Sequence, residues 1–121
     1  MMATILLVED TPANLALATK LLEAAGHRLL TADTAEAGIA LARERLPDLV
    51  LLDLGLPDWN GWQALTRIRA DERSAPLRVI AFTAHAMVGD RERALAAGFD
   101  GYLSKPIEVA TFADLVAGYL P

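Results

Sequence analysis

Three runs of consecutive apolar residues, ILLV at 5–8, LVLL at 49–52 and VIAF at 79–82, each stop at a polar residue: Glu9, Asp53 and Thr83. A strand that is apolar at every position has both faces buried. That is the environment of the inner strands of a parallel sheet with helices on both sides. Two shorter and more polar runs, 28–31 and 101–103, read as edge strands. Between the runs, apolar residues recur at helical spacing, which predicts helices over 12–25, 34–45, 61–70, 88–97 and 108–120. Five alternating strand-helix units make an α/β fold with a doubly wound parallel sheet.

The strand order 2-1-3-4-5 places the three apolar runs inside and the polar runs at the edges. This is the flavodoxin-like (βα)5 arrangement of a five-stranded sheet, whose switch point lies between the first and third strands. Local punctuation fits the helices. Thr11 before Pro12 suits an N-cap and first turn, Asp33 with Glu36 resembles a capping box, and Gly26 and Gly98 suit C-terminal caps. Three helix faces are predicted to be core: Leu15, Ala18, Leu22 and Ala25; Trp62, Leu65 and Ile68; and Val109, Phe112, Val116 and Tyr119. His27, just after a capping glycine, is expected at the surface.

At 121 residues the chain is expected to form a single domain, 1–121, with no output domain. Hydrophobic residues make up 54%, yet no run reaches the roughly 20 apolar residues of a membrane helix. The acidic pair Glu9-Asp10 and the lack of a basic flank argue against a signal peptide, so a cytoplasmic location and no membrane contact are expected. The absence of cysteine excludes disulfides, thiolate chemistry and Cys-type zinc sites. A net charge of −5 without a basic cluster argues against nucleic-acid binding.

Ligands of parallel sheets bind beyond the carboxyl ends of the strands. Glu9 and Asp10 follow the first strand, Asp53 ends the third, Thr83 follows the fourth, and Lys105-Pro106 follows the fifth. Three carboxylates about 5 Å apart repel by roughly 3 kcal/mol per pair at an effective dielectric near 20, so a fold that gathers them calls for a cation. Oxygen donors favour Mg2+, and the turn after Asp53 offers the backbone carbonyl of Gly55 as a further ligand. The hydroxyl of Thr83 and the ammonium of Lys105 complete a cradle for a phosphoryl group.

Val8-Glu9-Asp10, Leu52-Asp53 with Leu56-Pro57 and Gly61, Thr83-Ala84, and the segment GYLSKP at 101–106 resemble, in order and spacing, the receiver domains of bacterial two-component response regulators. The resemblance spans essentially the whole chain and is greatest to single-domain receivers of the alphaproteobacterial cell-cycle type. It implies that Asp53 accepts a phosphoryl group from a phosphohistidine. It also implies that Asp10, Asp53 and the Gly55 carbonyl bind Mg2+, with Glu9 acting through water. Thr83, Ala84 and Lys105 would contact the phosphoryl group, Tyr102 would be the switch aromatic, and the Lys105-Pro106 peptide would be cis. His85, two residues after Thr83, would bear on the lifetime of the acyl phosphate.

The implied partners are a histidine kinase or histidine phosphotransfer protein and a downstream protein that reads the surface of the fourth helix, fifth strand and fifth helix. The chain itself would be a monomer or weak dimer, and no enzyme beyond its own phosphorylation and dephosphorylation. Three rivals stand beside this reading. An aspartyl phosphatase needs a second aspartate close after the nucleophile, which Asp53-Leu54-Gly55 lacks. A flavodoxin-type carrier needs a first loop that attracts phosphate, where Glu9-Asp10 repels it. An interaction module that never takes up phosphate would show no magnesium dependence.

Overall fold

The computed structural model describes residues 2–84 and 89–121. The elements run β1 (Thr4–Val8), α1 (Pro12–Ala24), β2 (Arg28–Ala32), α2 (Ala35–Arg45), β3 (Leu49–Asp53), α3 (Gly61–Ala70), β4 (Val79–Thr83), α4 (Asp90–Ala97), β5 (Gly101–Ser104) and α5 (Phe112–Ala117). All five strands are parallel, in the expected order β2-β1-β3-β4-β5.

Side-chain alternation divides the strands between two cores. Leu6, Val8, Val50, Leu52, Val79 and Ala81 face a layer built from α2, α3 and α4, through residues such as Ile39, Leu65, Ile68 and Ala94. Ile5, Leu7, Leu49, Leu51, Ile80 and Phe82 face α1 and α5, through Ala18, Leu22, Phe112 and Val116. Every residue of β3 and β4 is buried, while Arg28 and Thr31 of β2 are exposed, as an edge strand allows. Each fully buried leucine or isoleucine contributes about 1.5–3 kcal/mol, so these inner strands anchor the fold.

Several local expectations are corrected. The last helix, expected over 108–120, is only Phe112–Ala117. Residues 108–111 form a separate turn in which the Thr111 and Phe112 N–H groups both donate to the Glu108 carbonyl. Thr111, at φ −122°, interrupts the helical path. Val109 therefore points outward and is 64% exposed, while Phe112 and Val116 hold the core. Ala25 is likewise exposed, just past the end of α1.

The N-cap of α2 is Thr34, whose side chain accepts from the Ala37 N–H; Asp33 and Glu36 do not form the expected box. A reciprocal capping box does occur at α3, between Asn60 and Gln63. His27 is not at the surface. It is 8% exposed, and its Nδ1 accepts from the Ala3 N–H at 3.1 Å, satisfying a backbone donor where β1 begins. The expected start of the fourth helix at Val88, and His85 with it, lie outside the described residues.

Candidate metal and phosphoryl centre

The register brings the ends of the inner strands side by side. Val8 lies beside Leu52, Asp53 beside Phe82 and Thr83 beside Ser104, so the residues that follow share one rim of the sheet. Glu9 continues the β1 direction by donating its N–H to the Ala32 carbonyl, and its side chain is completely buried. One carboxylate oxygen each from Glu9, Asp10 and Asp53 lies within 4.8 Å of the others. Asp10 is the most accessible of the three.

Lys105 crosses 96 residues of sequence to reach this cluster. Its Nζ donates to Glu9 Oε2 at 2.6 Å and to Asp53 Oδ2 at 3.2 Å. The ammonium also sits 5.0 Å from the ring centroid of Phe82, a contact that fixes a cation over an apolar floor. The Lys105 backbone N–H donates to the Thr83 carbonyl, and the Lys105-Pro106 peptide is cis. Thr83 is 2% exposed, whereas Ala84 beyond it is exposed.

Both oxygens of Asp53 are engaged. Oδ1 accepts from the Gly55 N–H at 2.9 Å, and Oδ2 faces Lys105. Glu9 Oε1 accepts from the Thr11 N–H at 3.2 Å. The contact seen at Gly55 is thus through its N–H, and Glu9 reaches Lys105 directly. Among the described residues three carboxylates face one ammonium, which leaves the cluster short of positive charge, and buried charge without a partner is costly. An all-oxygen donor set with one accessible carboxylate fits a magnesium ion that retains water.

The loop after Asp53 is held closely. The Gly61 N–H donates to the Leu54 carbonyl, and a Cβ on Gly61 would lie 2.6 Å from Leu54 Cα and 2.9 Å from the Asp53 carbonyl oxygen. Backbone atoms cannot give way as a flexible side chain does. Gly61→Ala is therefore expected to destabilise the fold by about 1–3 kcal/mol, measurable by urea denaturation.

Tyr102 on β5 is half-buried and packs against the core on the α4 side of the sheet. Burial, and then the negative charge of Asp90 at the start of α4, push its phenol above the usual value of 10. Asp90→Asn is expected to lower that midpoint in an ultraviolet pH titration. Tyr102 stays a neutral hydroxyl at physiological pH either way.

Three residues that sequence reasoning did not single out make interactions near these strand ends or in the loops beside them. Phe82 was legible only as one apolar residue of a strand, yet its ring lies under Lys105. Asp90, at the start of α4, acts on Tyr102 through its charge, which adds to burial in raising the phenol's pKa. Asp58 looked like one polar residue of a turn, but its carboxylate accepts from the Ala35 N–H at 2.9 Å and the Glu36 N–H at 3.0 Å. The turn composition of 55–61 was the only available signal.

Comparison with known proteins agrees with this geometry. The family model for the response regulator receiver domain matches residues 5–117. The polar-differentiation response regulator DivK of Brucella ovis is 38% identical over 120 residues, which are 99% of this chain and 98% of that protein. DivK of Brucella anthropi is 37% identical over 117 residues, 97% and 95% of the two chains. The receiver domain of the sensor histidine kinase PA1611 from Pseudomonas aeruginosa PAO1, with magnesium coordinated in its active-site cleft, superposes with a TM-score of 0.87. It is 34% identical, and 98% of each chain is covered. The chemotaxis response regulator CheY4 of Vibrio cholerae shares the fold, with a TM-score of 0.91 at 22% identity, covering 99% of this chain and 100% of that one. The chain belongs to the response regulator receiver domain family, the phosphoryl-accepting modules of two-component signalling.

Proposed function

We propose that Asp53 is the phosphoacceptor of this receiver and that the surrounding strand ends form its magnesium and phosphoryl site. The observation that carries this reading is the cluster of Glu9, Asp10 and Asp53 oxygens within 4.8 Å, with Lys105 donating to two of the three. Asp10, Asp53 and the Gly55 carbonyl would hold Mg2+, with Glu9 acting through water. When bound, the ion supplies the positive charge that lets an anionic carboxylate approach an anionic phosphoryl group.

An oxygen of Asp53 attacks phosphorus. The new P–O bond forms as the P–N bond of a phosphohistidine breaks, and the leaving imidazole keeps the bonding electrons and takes up a proton. Lys105 meets the developing phosphoryl charge, since its ammonium already points at Asp53 Oδ2. Thr83, at the end of β4, and Ala84 just beyond it would also contact the phosphoryl group, with the Thr83 hydroxyl donating to one of its oxygens. Such positioning and charge neutralisation are most of what a loose phosphoryl-transfer transition state requires.

Receiver domains work with phosphodonor kinases and downstream targets. For this chain we assign the donor to a histidine kinase or histidine phosphotransfer protein, with the α4-β5-α5 surface read by the target. Tyr102, half-buried on β5 and packed against the core on the α4 side, transmits the change at Thr83 to that surface. The protein acts as a switch whose only catalysis is its own phosphorylation and dephosphorylation. No helix among the described residues is long and apolar enough to cross a membrane, and the acidic net charge of −5 offers no footprint for nucleic acid. We infer a cytoplasmic monomer or weak dimer.

The test is intact mass after incubation with acetyl phosphate and magnesium, with a chelator control. One phosphoryl adduct, mapped to Asp53 and lost with the chelator, is expected. No adduct under any condition, including with a cognate kinase, would leave an interaction module that does not take up phosphate.

A further inference from the structure

The metal ligands assigned above come from two places, the turn after β1 and the loop after β3, and no covalent link shorter than 42 residues joins Asp53 to Glu9-Asp10. Beyond the pairing of Val8 with Leu52 and the Lys105 bridge between Glu9 and Asp53, Asp58 adds a further tie between the two places. It sits in the β3-α3 loop and binds the first two N–H groups of α2, Ala35 at 2.9 Å and Glu36 at 3.0 Å. Thr34 takes the third, at Ala37.

From there α2 is docked on β1. A Cβ at Gly38 would lie 2.6 Å from Val8 Cγ2, so this helix approaches the sheet tightly at the residue just before Glu9. The other end of the loop is held by the Gly55 N–H on Asp53 and the Gly61 N–H on Leu54, while Leu56 between them is buried in the core. A continuous path therefore runs from Asp53 and Gly55 through Asp58, the first turn of α2 and Gly38 to Val8 and the acidic pair.

We propose that Asp58 is a positioning residue for magnesium and phosphoryl binding, which braces the loop carrying Gly55 against the turn carrying Asp10 in addition to the strand pairing and the Lys105 bridge. This rests on the reading of the acidic cluster as a magnesium site. Charge-assisted hydrogen bonds to a helix N-terminus are among the stronger local contacts, and they are stiff because both carboxylate oxygens are used. Coupling of this kind is reciprocal: if the Asp58 bonds favour the ion, the ion must strengthen the Asp58 bonds by the same factor.

The test is magnesium binding by calorimetry in wild type, Asp58→Ala, Asp58→Asn and Thr34→Ala, paired with amide hydrogen exchange at Ala35 and Glu36. Asp58→Ala is expected to weaken binding by about 10-fold, the low end of what loss of outer contacts around a metal costs. Asp58→Asn, which keeps one acceptor oxygen, falls between and serves if the alanine variant does not fold. Thr34→Ala removes an α2 cap without touching the loop, so its affinity stays within about two-fold of wild type. In wild type, saturating magnesium slows exchange at Ala35 and Glu36 by a factor matching the affinity loss in Asp58→Ala.

An unchanged affinity in Asp58→Ala and Asp58→Asn overturns the proposal. So does an equal loss in Thr34→Ala, which would mean that α2 stability alone matters, and so do exchange rates indifferent to magnesium. Failure of the wild type itself to bind magnesium sinks the metal-site reading and this proposal together, and is thereby distinguished from the other outcomes.

Discussion

Asp53→Asn is expected to take up no phosphoryl group from acetyl phosphate in magnesium, a loss of at least about 100-fold in adduct formation. The amide is nearly the same size as the carboxylate, and its oxygen can still accept from the Gly55 N–H that orients Oδ1 in the wild type. What it lacks is the anionic oxygen facing Lys105. The substitution therefore removes the proposed nucleophile while leaving the loop and the buried end of β3 in place. An adduct that survives in Asp53→Asn and maps to Asp10, the neighbouring and more accessible carboxylate, would move the acceptor to the end of β1. Mass spectrometry of peptides covering 4–12 and 49–58 separates the two outcomes.

Two further substitutions in the cluster should change stability in opposite directions when measured by urea denaturation without divalent ions. Asp10→Asn removes one of three carboxylates whose oxygens lie within 4.8 Å. At that separation each pair repels by about 3 kcal/mol at an effective dielectric near 20. Lys105 and solvent offset much of this, so the expected gain is about 1–2 kcal/mol. Lys105→Met does the reverse. It keeps an apolar stem over Phe82 but strips the ammonium from Glu9, which is fully buried, and from Asp53, which is 6% exposed.

Removing one partner of a buried ion pair costs about 3–5 kcal/mol, and because Glu9 keeps the Thr11 N–H and Asp53 the Gly55 N–H the expected loss is near the lower figure. Added magnesium should raise the stability of the wild type by mass action and leave Asp10→Asn nearly unchanged. The pattern is that of a functional cluster held together against its own repulsion. A stability loss in Asp10→Asn would show that its carboxylate serves the fold, and would weaken the case for an ion between these groups.

Much of this was legible in the sequence because it depends on periodicity. Unbroken apolar runs such as LVLL can be satisfied only with both faces covered, which fixes β3 and its neighbours as inner strands and places Asp53 at their carboxyl end. The same logic located Glu9, Thr83 and Lys105 on the rim. It failed at α5, where the spacing of Val109 matched a helix but the chain spends residues 108–111 in a turn and leaves that valine outside. A helical period states which residues could share a face. It does not state where the backbone begins to follow that face.

The sequence by itself determined the sheet order, the two buried cores and the set of residues collected at one edge, because strand burial and the rule for ligand sites in parallel sheets are local in origin. Only the tertiary structure decided who touches whom. His27 was expected outside but is buried, because its imidazole meets the Ala3 N–H across 24 residues. Lys105 settles on both Glu9 and Asp53, and Asp58 caps a helix that begins 23 residues before it. These are directional contacts between groups distant in the chain, with geometries that hold over a few tenths of an ångström. No pattern of neighbouring residues encodes them, since each depends on how two separately packed elements come to rest against the same sheet.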